Sequence, residues 1–361
     1  NGTNGITYND GSLQPSAPVG RNLIINGDMA IDQRNVGASA TSNGSVYTVD
    51  RFEFQMSSVT NVQTYQQVTD APAGFNKSLK ITNNSTTQAT AAGVLCTPRQ
   101  KIEGLNTAYL NWGTSDAQTV TVSFWVKASV TGTYPVALTN NNFSRSFVTN
   151  YTVSVANTWE YKTVTIAGDT SGTWTVDTTT GINVLFSLDT GSTYQTTAGS
   201  WQAGNYRGTS SDVHFLANAS ATWQITGVQL EANTTATPFE NLQYTTQLQL
   251  CQRYLPAFSG ISNWFGFGII INTSRLFSTA TYKVPTRVAP TGLVISSASH
   301  FQCGDMIATS NLASAISISS SGTDSALLDV TSSVANLTAA RPGVVVATSA
   351  SALLYFTGCE L

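Results

Sequence analysis

Three observations predict a mainly β protein: a jelly-roll β-sandwich, a short linker helix, and a second, smaller β-sandwich or barrel domain. In TVTVSFWVKAS, 119–129, Val120, Val122, Phe124 and Val126 take one face and Thr121, Ser123, Trp125 and Lys127 the other. Strict alternation of this kind belongs to a strand with one face in a core. About ten strand-like segments recur between Arg21 and Glu231, separated by Gly/Asn/Thr turns with no helical period among them. A single helical pattern, 245–255, then divides this region from another β-rich stretch.

Residues 1–20 carry Gly and Pro among polar residues, enough for two short β-like pieces but not for a core, and read as an arm or the end of a preceding shaft. The sandwich is expected over 21–240. Its strands are read at 22–32, 46–54, 61–68, 78–82, 93–102, 119–129, 133–140, 151–155, 159–168, 182–189, 213–217 and 222–231. In the last of these the phase of apolar residues flips between Trp223/Ile225 and Val228/Leu230, which predicts a β-bulge at Gly227. The segment 190–212 reads as a long Gly/Ser/Thr loop without structure of its own, and loops of that length tend to be functional.

The linker, 241–256, places Leu248, Cys251 and Leu255 at i, i+3, i+7 and Leu250 and Tyr254 at i, i+4, with Thr245 or Thr246 as N-cap and Pro256 as stop. So short a helix must pack against something. Strands return over 257–361 as a C-terminal β tip domain, with a Ser/Ala/Thr-rich stretch at 296–352.

Charged residues are only 10% of the 361, with net charge −3. No basic patch argues for nucleic acid, and the longest apolar run, 265–271, is too short to insert in a membrane. The first residue is Asn1 and no leader pattern follows, as expected of a piece of a longer chain. The four cysteines are too scattered for a disulfide framework; free thiols are the preferred reading, with a Cys303–Cys359 bridge as the alternative.

Catalytic patterns are absent: no nucleophile elbow, phosphate loop or zinc spacing occurs, and the two histidines, His214 and His300, read as structural or surface groups. Asp169, Asp177, Asp189 and Asp212 leave paired-carboxylate glycan cleavage as an alternative. Aromatic residues carry the binding hypothesis, because flat rings stack on sugar faces while amides and hydroxyls bond sugar edges. Tyr194, Trp201, Tyr206 and Arg207 on the 190–212 loop, with Asn263 and Trp264 at the entrance to the tip domain, are the candidate ligand-binding residues. Rings of this kind also anchor loops or fill subunit interfaces. Trp125, Trp159 and Trp223 are read as core or sheet-face residues. Asn-x-Ser/Thr triplets follow from composition.

The stretches GRNLIINGDMAIDQR, VDRFEF, VSFWVKAS and NTWEYKTVTI resemble jelly-roll modules of carbohydrate-binding type. WQITGVQLEANTTATPFE followed by LQLCQRYL, with ITYNDGSLQPSAP near the start, resembles the receptor-binding region of bacteriophage tail fibres. That resemblance implies a non-enzymatic homotrimeric fibre segment of the virion, assembled in the host cytoplasm and exposed extracellularly. It would bind a host cell-surface polysaccharide and join other tail proteins through its N-terminal side. Alternatives are a carbohydrate-binding module of a secreted enzyme, a fibre-borne depolymerase, and a purely structural virion component. Related modules often hold a structural calcium through a last-strand carboxylate; here Thr226 and Gly227 stand there, so no metal or other cofactor is expected.

Overall fold

In the computed structural model of the chain, residues 6–7, 13–14, 20–84, 86–261, 264–305 and 309–361 are described. The chain divides into two compact units, 1–242 and 243–361. Near its start Ile6–Thr7 pairs with Leu13–Gln14.

The first unit is an antiparallel sandwich. Its larger, eight-stranded sheet runs in the order Trp201–Ala203, Arg145–Val153, Gly132–Thr139, Thr180–Phe186, Leu95–Glu103, Phe52–Ser57, Val46–Tyr47, and Asp189–Thr190 adds to Leu95–Glu103. The smaller, six-stranded sheet runs Glu160–Ile166, Val120–Ala128, Thr222–Glu231, Ser78–Asn83, Gln63–Val68, Ala40–Ser42. The alternation of 119–129 is realised: Val120, Val122, Phe124 and Val126 are all fully buried against inward residues of the facing sheet such as Tyr151 and Phe186. Opposing inner faces that fill one core are what hold such a sandwich together. The register of the last strand shifts between Thr226 and Gln229, and Gly227 has φ +62°, so the predicted bulge is present.

Four local expectations are corrected. Residues 22–32 form no strand. Positive φ at Asn26 and Met29 turns the chain, and the Asn26 side chain holds the turn by bonding Ile31 N and O. Its apolar residues reach the core without a ladder. VHFLA at 213–217 is a 3-10 turn, Phe215–Ala217; Phe215 and Leu216 are both buried, which an alternating strand does not allow. The 190–212 loop has structure of its own: a 3-10 turn at Ser192–Tyr194, the edge strand Trp201–Ala203, and a parallel bridge between Gln195 and Gly208. The helix is Tyr244–Gln252, entered at Gln243 without a side-chain cap, so neither Thr245 nor Thr246 caps it.

The helix belongs to the second unit. Gln247, Cys251 and Gln252 are its buried residues while Leu250 is exposed; Tyr254 and Leu255, just after it, are buried, and Arg253 O and Pro256 O accept from Arg287 N and Phe356 N. A closed barrel follows, in the order Trp264–Asn272, Arg275–Thr281, Ser325–Ser332, Ser310–Ser321, Phe301–Asp305, Pro342–Ala347, beside a three-stranded sheet. The Ser/Ala/Thr-rich stretch, 296–352, supplies four of the barrel strands. All four cysteines are buried thiols.

Candidate functional site

The outer face of the smaller sheet carries an aromatic cleft. Because Trp125 belongs to the outward set of its strand, it stands directly opposite Tyr161 in the ladder. The two rings are 5.3 Å apart at 48°. On its other side the strand pairs with Thr226, next to the bulge. At Gly227 a Cβ would lie 2.7 Å from the Phe75 ring and 3.1 Å from Trp125, so the glycine lets those rings approach the sheet. Phe75 meets Phe239 edge to face at 5.1 Å. Together with Ser123, Thr237 and Pro238 these rings enclose about 430 Å³.

The wall at 236–239 is fixed by buried polar groups. The Glu231 carboxylate accepts from Thr237 N and Oγ1, and Glu240 accepts from Gly20 N and Asn22 N. At the outer edge of this sheet Asp70 accepts from Lys127 Nζ at 2.8 Å and Trp159 Nε1 at 3.2 Å. The Lys127 ammonium, helped by Trp159, holds the Asp70 carboxyl below the usual carboxylate range. Tyr161 is 44% exposed and Trp125 half-buried, so ring faces remain open to a ligand. Apolar rings with a few fixed hydroxyls are suited to stacking on a sugar.

The larger sheet treats its aromatic residues differently. Trp201 pairs with Phe147, and its ring lies 5.3 Å from Trp112, 5.4 Å from Trp174 and 5.5 Å from Phe147, while Nε1 donates to Ala167 O. Tyr206 packs on Ala137, Val148 and Leu185, a small apolar patch on the outer side of the sheet. Arg207 is 2% exposed; it donates to Asn205 Oδ1 and Gln55 Oε1 and lies 4.5 Å from the Phe143 ring and 5.8 Å from that of Tyr194. Burial, and then the neighbouring Arg99, pulls its guanidinium down to about 10.

Of the sequence-predicted residues, Tyr194 and Arg207 therefore meet, Trp201 packs against the sandwich core, and Tyr206 lies on the outer side of the larger sheet. Trp264 lies in the second unit, 55% exposed, 5.8 Å from the Phe267 ring. Asn263 lies outside the described residues. Phe75, Tyr161 and Phe239 were missed by sequence reading. The legible signal was Trp125, a large ring in the otherwise polar outward set of 119–129.

The loop carboxylates are committed to their own turns. Asp169 takes a bidentate Arg145 at 2.7 Å, Asp177 accepts from Thr179, and Asp212 accepts from Thr209. Asp189 accepts from Thr90 and Leu216 N and contacts His214 Nδ1 at 3.1 Å. Thr90 approaches the same Nδ1, so hydroxyl and carboxylate share one ring nitrogen, whereas a nucleophilic triad uses both. The Thr226 hydroxyl donates to Asp28 O. Among the described residues no group of three His, Cys, Asp or Glu side chains could hold a metal, and no helix is long and apolar enough to cross a membrane.

No protein-family model and no curated protein matches the chain. Solved structures similar to it are mainly carbohydrate-binding modules. A putative sugar-binding protein from Bacteroides thetaiotaomicron has TM-score 0.33 and 14% identity, over 59% of this chain and 100% of that one. TmCBM61, solved with β-1,4-galactotriose, has TM-score 0.29 and 9% identity, over 59% and 99%. The enzymatically active domain of tailspike protein 4 from bacteriophage CBA120 has TM-score 0.31 and 10% identity, over 59% of this chain but 22% of the tailspike.

Proposed function

We propose that this protein is a non-enzymatic receptor-binding segment of a phage tail fibre. As a homotrimer it attaches the virion to a host cell-surface glycan, and its N-terminal side joins it to other tail proteins. The observation that carries the glycan reading is the cleft of Trp125, Tyr161, Phe75 and Phe239, where open rings lie beside fixed hydroxyls. The assignment to a fibre is supported by the sequence resemblance of 223–254. Self-association is supported by the outward side of Trp264–Asn272 in the barrel, where Trp264, Phe267, Ile269 and Ile271 are 55%, 60%, 48% and 42% exposed. A row of apolar side chains of this kind marks an association surface.

The second reading, a carbohydrate-binding module of a glycan-degrading enzyme, is favoured by the same cleft. Solution mass separates the two: a chain that remains at 38.2 kDa at high concentration removes the fibre reading. A glycan array probed with the intact protein tests the cleft. Trp125→Ala and Tyr161→Ala are each expected to weaken binding about tenfold, the scale of one stacking contact with its buried area. Undiminished binding in both variants removes the cleft assignment. New reducing ends on incubation with the bound polysaccharide would overturn the non-enzymatic reading.

A further inference from the structure

A second cleft, of about 690 Å³, opens on the outer side of the larger sheet, between 192–198 and 209–211 with Asn150 in its lining. Its hydrogen-bond polarity can be worked out from one buried carboxylate. Asp212 accepts from Thr209 N at 2.7 Å and from Thr209 Oγ1 at 2.5 Å. The single hydroxyl proton of Thr209 is thereby committed, and its oxygen can only accept. Asn150 Nδ2, 3.3 Å away, must donate to it, and so must Ser211 Oγ at 3.1 Å. The Asn150 amide is thus oriented with Nδ2 toward Thr209, and its Oδ1 is a buried acceptor with no partner. Gln195 is oriented in the same sense: Nε2 donates to Thr190 O at 2.7 Å, leaving its Oε1 as an acceptor.

The lining therefore offers Gln195 Oε1 and the lone pairs of Ser211 Oγ as acceptors, beside the hydroxyls of Ser192, Thr196, Thr197 and Ser210, which both donate and accept. A ligand matched to this lining must both donate and accept, as a sugar hydroxyl does. No Lys or Arg lines the cleft and the Asp212 carboxylate stands behind it, which disfavours an anion. No ring lines it either, which disfavours an apolar molecule. Its size lies within the usual range of small-molecule sites, roughly 300–1,000 Å³.

We propose that this cleft is a second carbohydrate subsite, which takes a neutral, hydroxyl-rich sugar unit whose hydroxyls bond Gln195 Oε1 and Ser211 Oγ. The proposal rests on the glycan-binding reading of the chain but not on the aromatic cleft. Two sites on opposite sheets would let one sandwich engage two points of a polysaccharide, with a gain from effective concentration.

The test is hydrogen exchange of the intact protein with methyl α-glucoside, methyl α-mannoside, methyl β-galactoside or, as the anionic control, methyl α-galacturonoside. Peptides spanning 192–211 are expected to gain protection with at least one neutral glycoside and less with the uronate. The half-saturating concentration should rise about threefold to tenfold in Gln195→Ala, the scale of one lost hydrogen bond. The exposed Ser211→Ala, which should fold normally, is expected to raise it by a smaller factor. Protection that is unchanged in both variants, or equal with the uronate, overturns the subsite. A response around Trp125 with none at 192–211 removes this subsite and leaves the aromatic cleft standing. No response at either place, with any glycoside, removes both. A response at 192–211 that survives Trp125→Ala supports the subsite as independent.

Discussion

The two outer faces of the sandwich use aromatic residues in opposite ways. On the smaller sheet, Trp125 and Tyr161 project from adjacent strands and keep faces open, with Phe75 and Phe239 as a wall. On the larger sheet, the 190–212 segment turns Trp201 into a cage of Trp112, Trp174 and Phe147, and lays Tyr206 on the sheet. What this segment leaves to solvent is hydroxyl and amide. A ring-rich loop is thus a structural strap, and the ring on a polar strand face is the better ligand candidate. Burial separates the cases: a ring enclosed by other rings stabilises the fold, while a ring on a pleated outer face contributes less to folding and can contribute to binding.

Breaking the strap should have the largest effect. Trp201→Ala removes three ring contacts and the bond to Ala167 O, and is expected to destabilise the first unit by about 3 kcal/mol, the lower end for a tryptophan since the ring is half-buried. Urea unfolding followed for the sandwich checks this. A variant that keeps its midpoint but loses glycan binding would reverse the assignment.

At the bulge, Gly227→Ala places a Cβ at φ +62° against the Phe75 ring and is expected to cost about 1–2 kcal/mol. It should also weaken binding at the aromatic cleft by shifting Phe75, read by titration with the glycan found on the array. Unaltered affinity would mean that the ring wall is not part of the site.

The third expectation concerns the barrel strand: Phe267→Ser with Ile269→Ser should lower oligomeric mass while changing the melting of the barrel little, because both side chains point outward. Light scattering reads the outcome, and an unchanged mass would place the proposed association surface elsewhere.

The smallest effect is a pH response. Asp70 titrates below its ordinary 3.8 in the folded chain because Lys127 and Trp159 bond its charged form. Its contribution is therefore present above the unfolded value and lost as pH falls through the folded one. Since the carboxylate is 46% exposed, solvent screening keeps the effect small. Trp159 emission should change below about pH 4 and stay flat in Asp70→Asn. A change that persists in the variant assigns it to another group.

Much of the fold was legible in the chain. Period-two alternation at 119–129, the phase flip at Gly227 and the lone helical pattern near 244–252 each predicted its element, because each depends on side-chain spacing along one segment. The misread segments are those where backbone conformation overrides spacing. At 22–32 two positive-φ residues fold apolar side chains inward without a ladder, and at 213–217 a 3-10 turn buries two consecutive residues.

Composition and alternation by themselves determined that this is a weakly charged, two-part β protein whose strand faces carry both apolar and polar rows. Which rings are open was decided only by tertiary structure. Trp201 and Trp125 are alike in part: Trp201 stands between Ser200 and Gln202, and Trp125 shares its strand face with Ser123 and Lys127. The first, though half-buried like the second, is packed against three rings because segments near 112, 147 and 174 converge on it. The other stays open because Gly227, a hundred residues later, draws Phe75 beside it without covering its face. Accessibility is a property of distant segments brought together, and local pattern does not contain it.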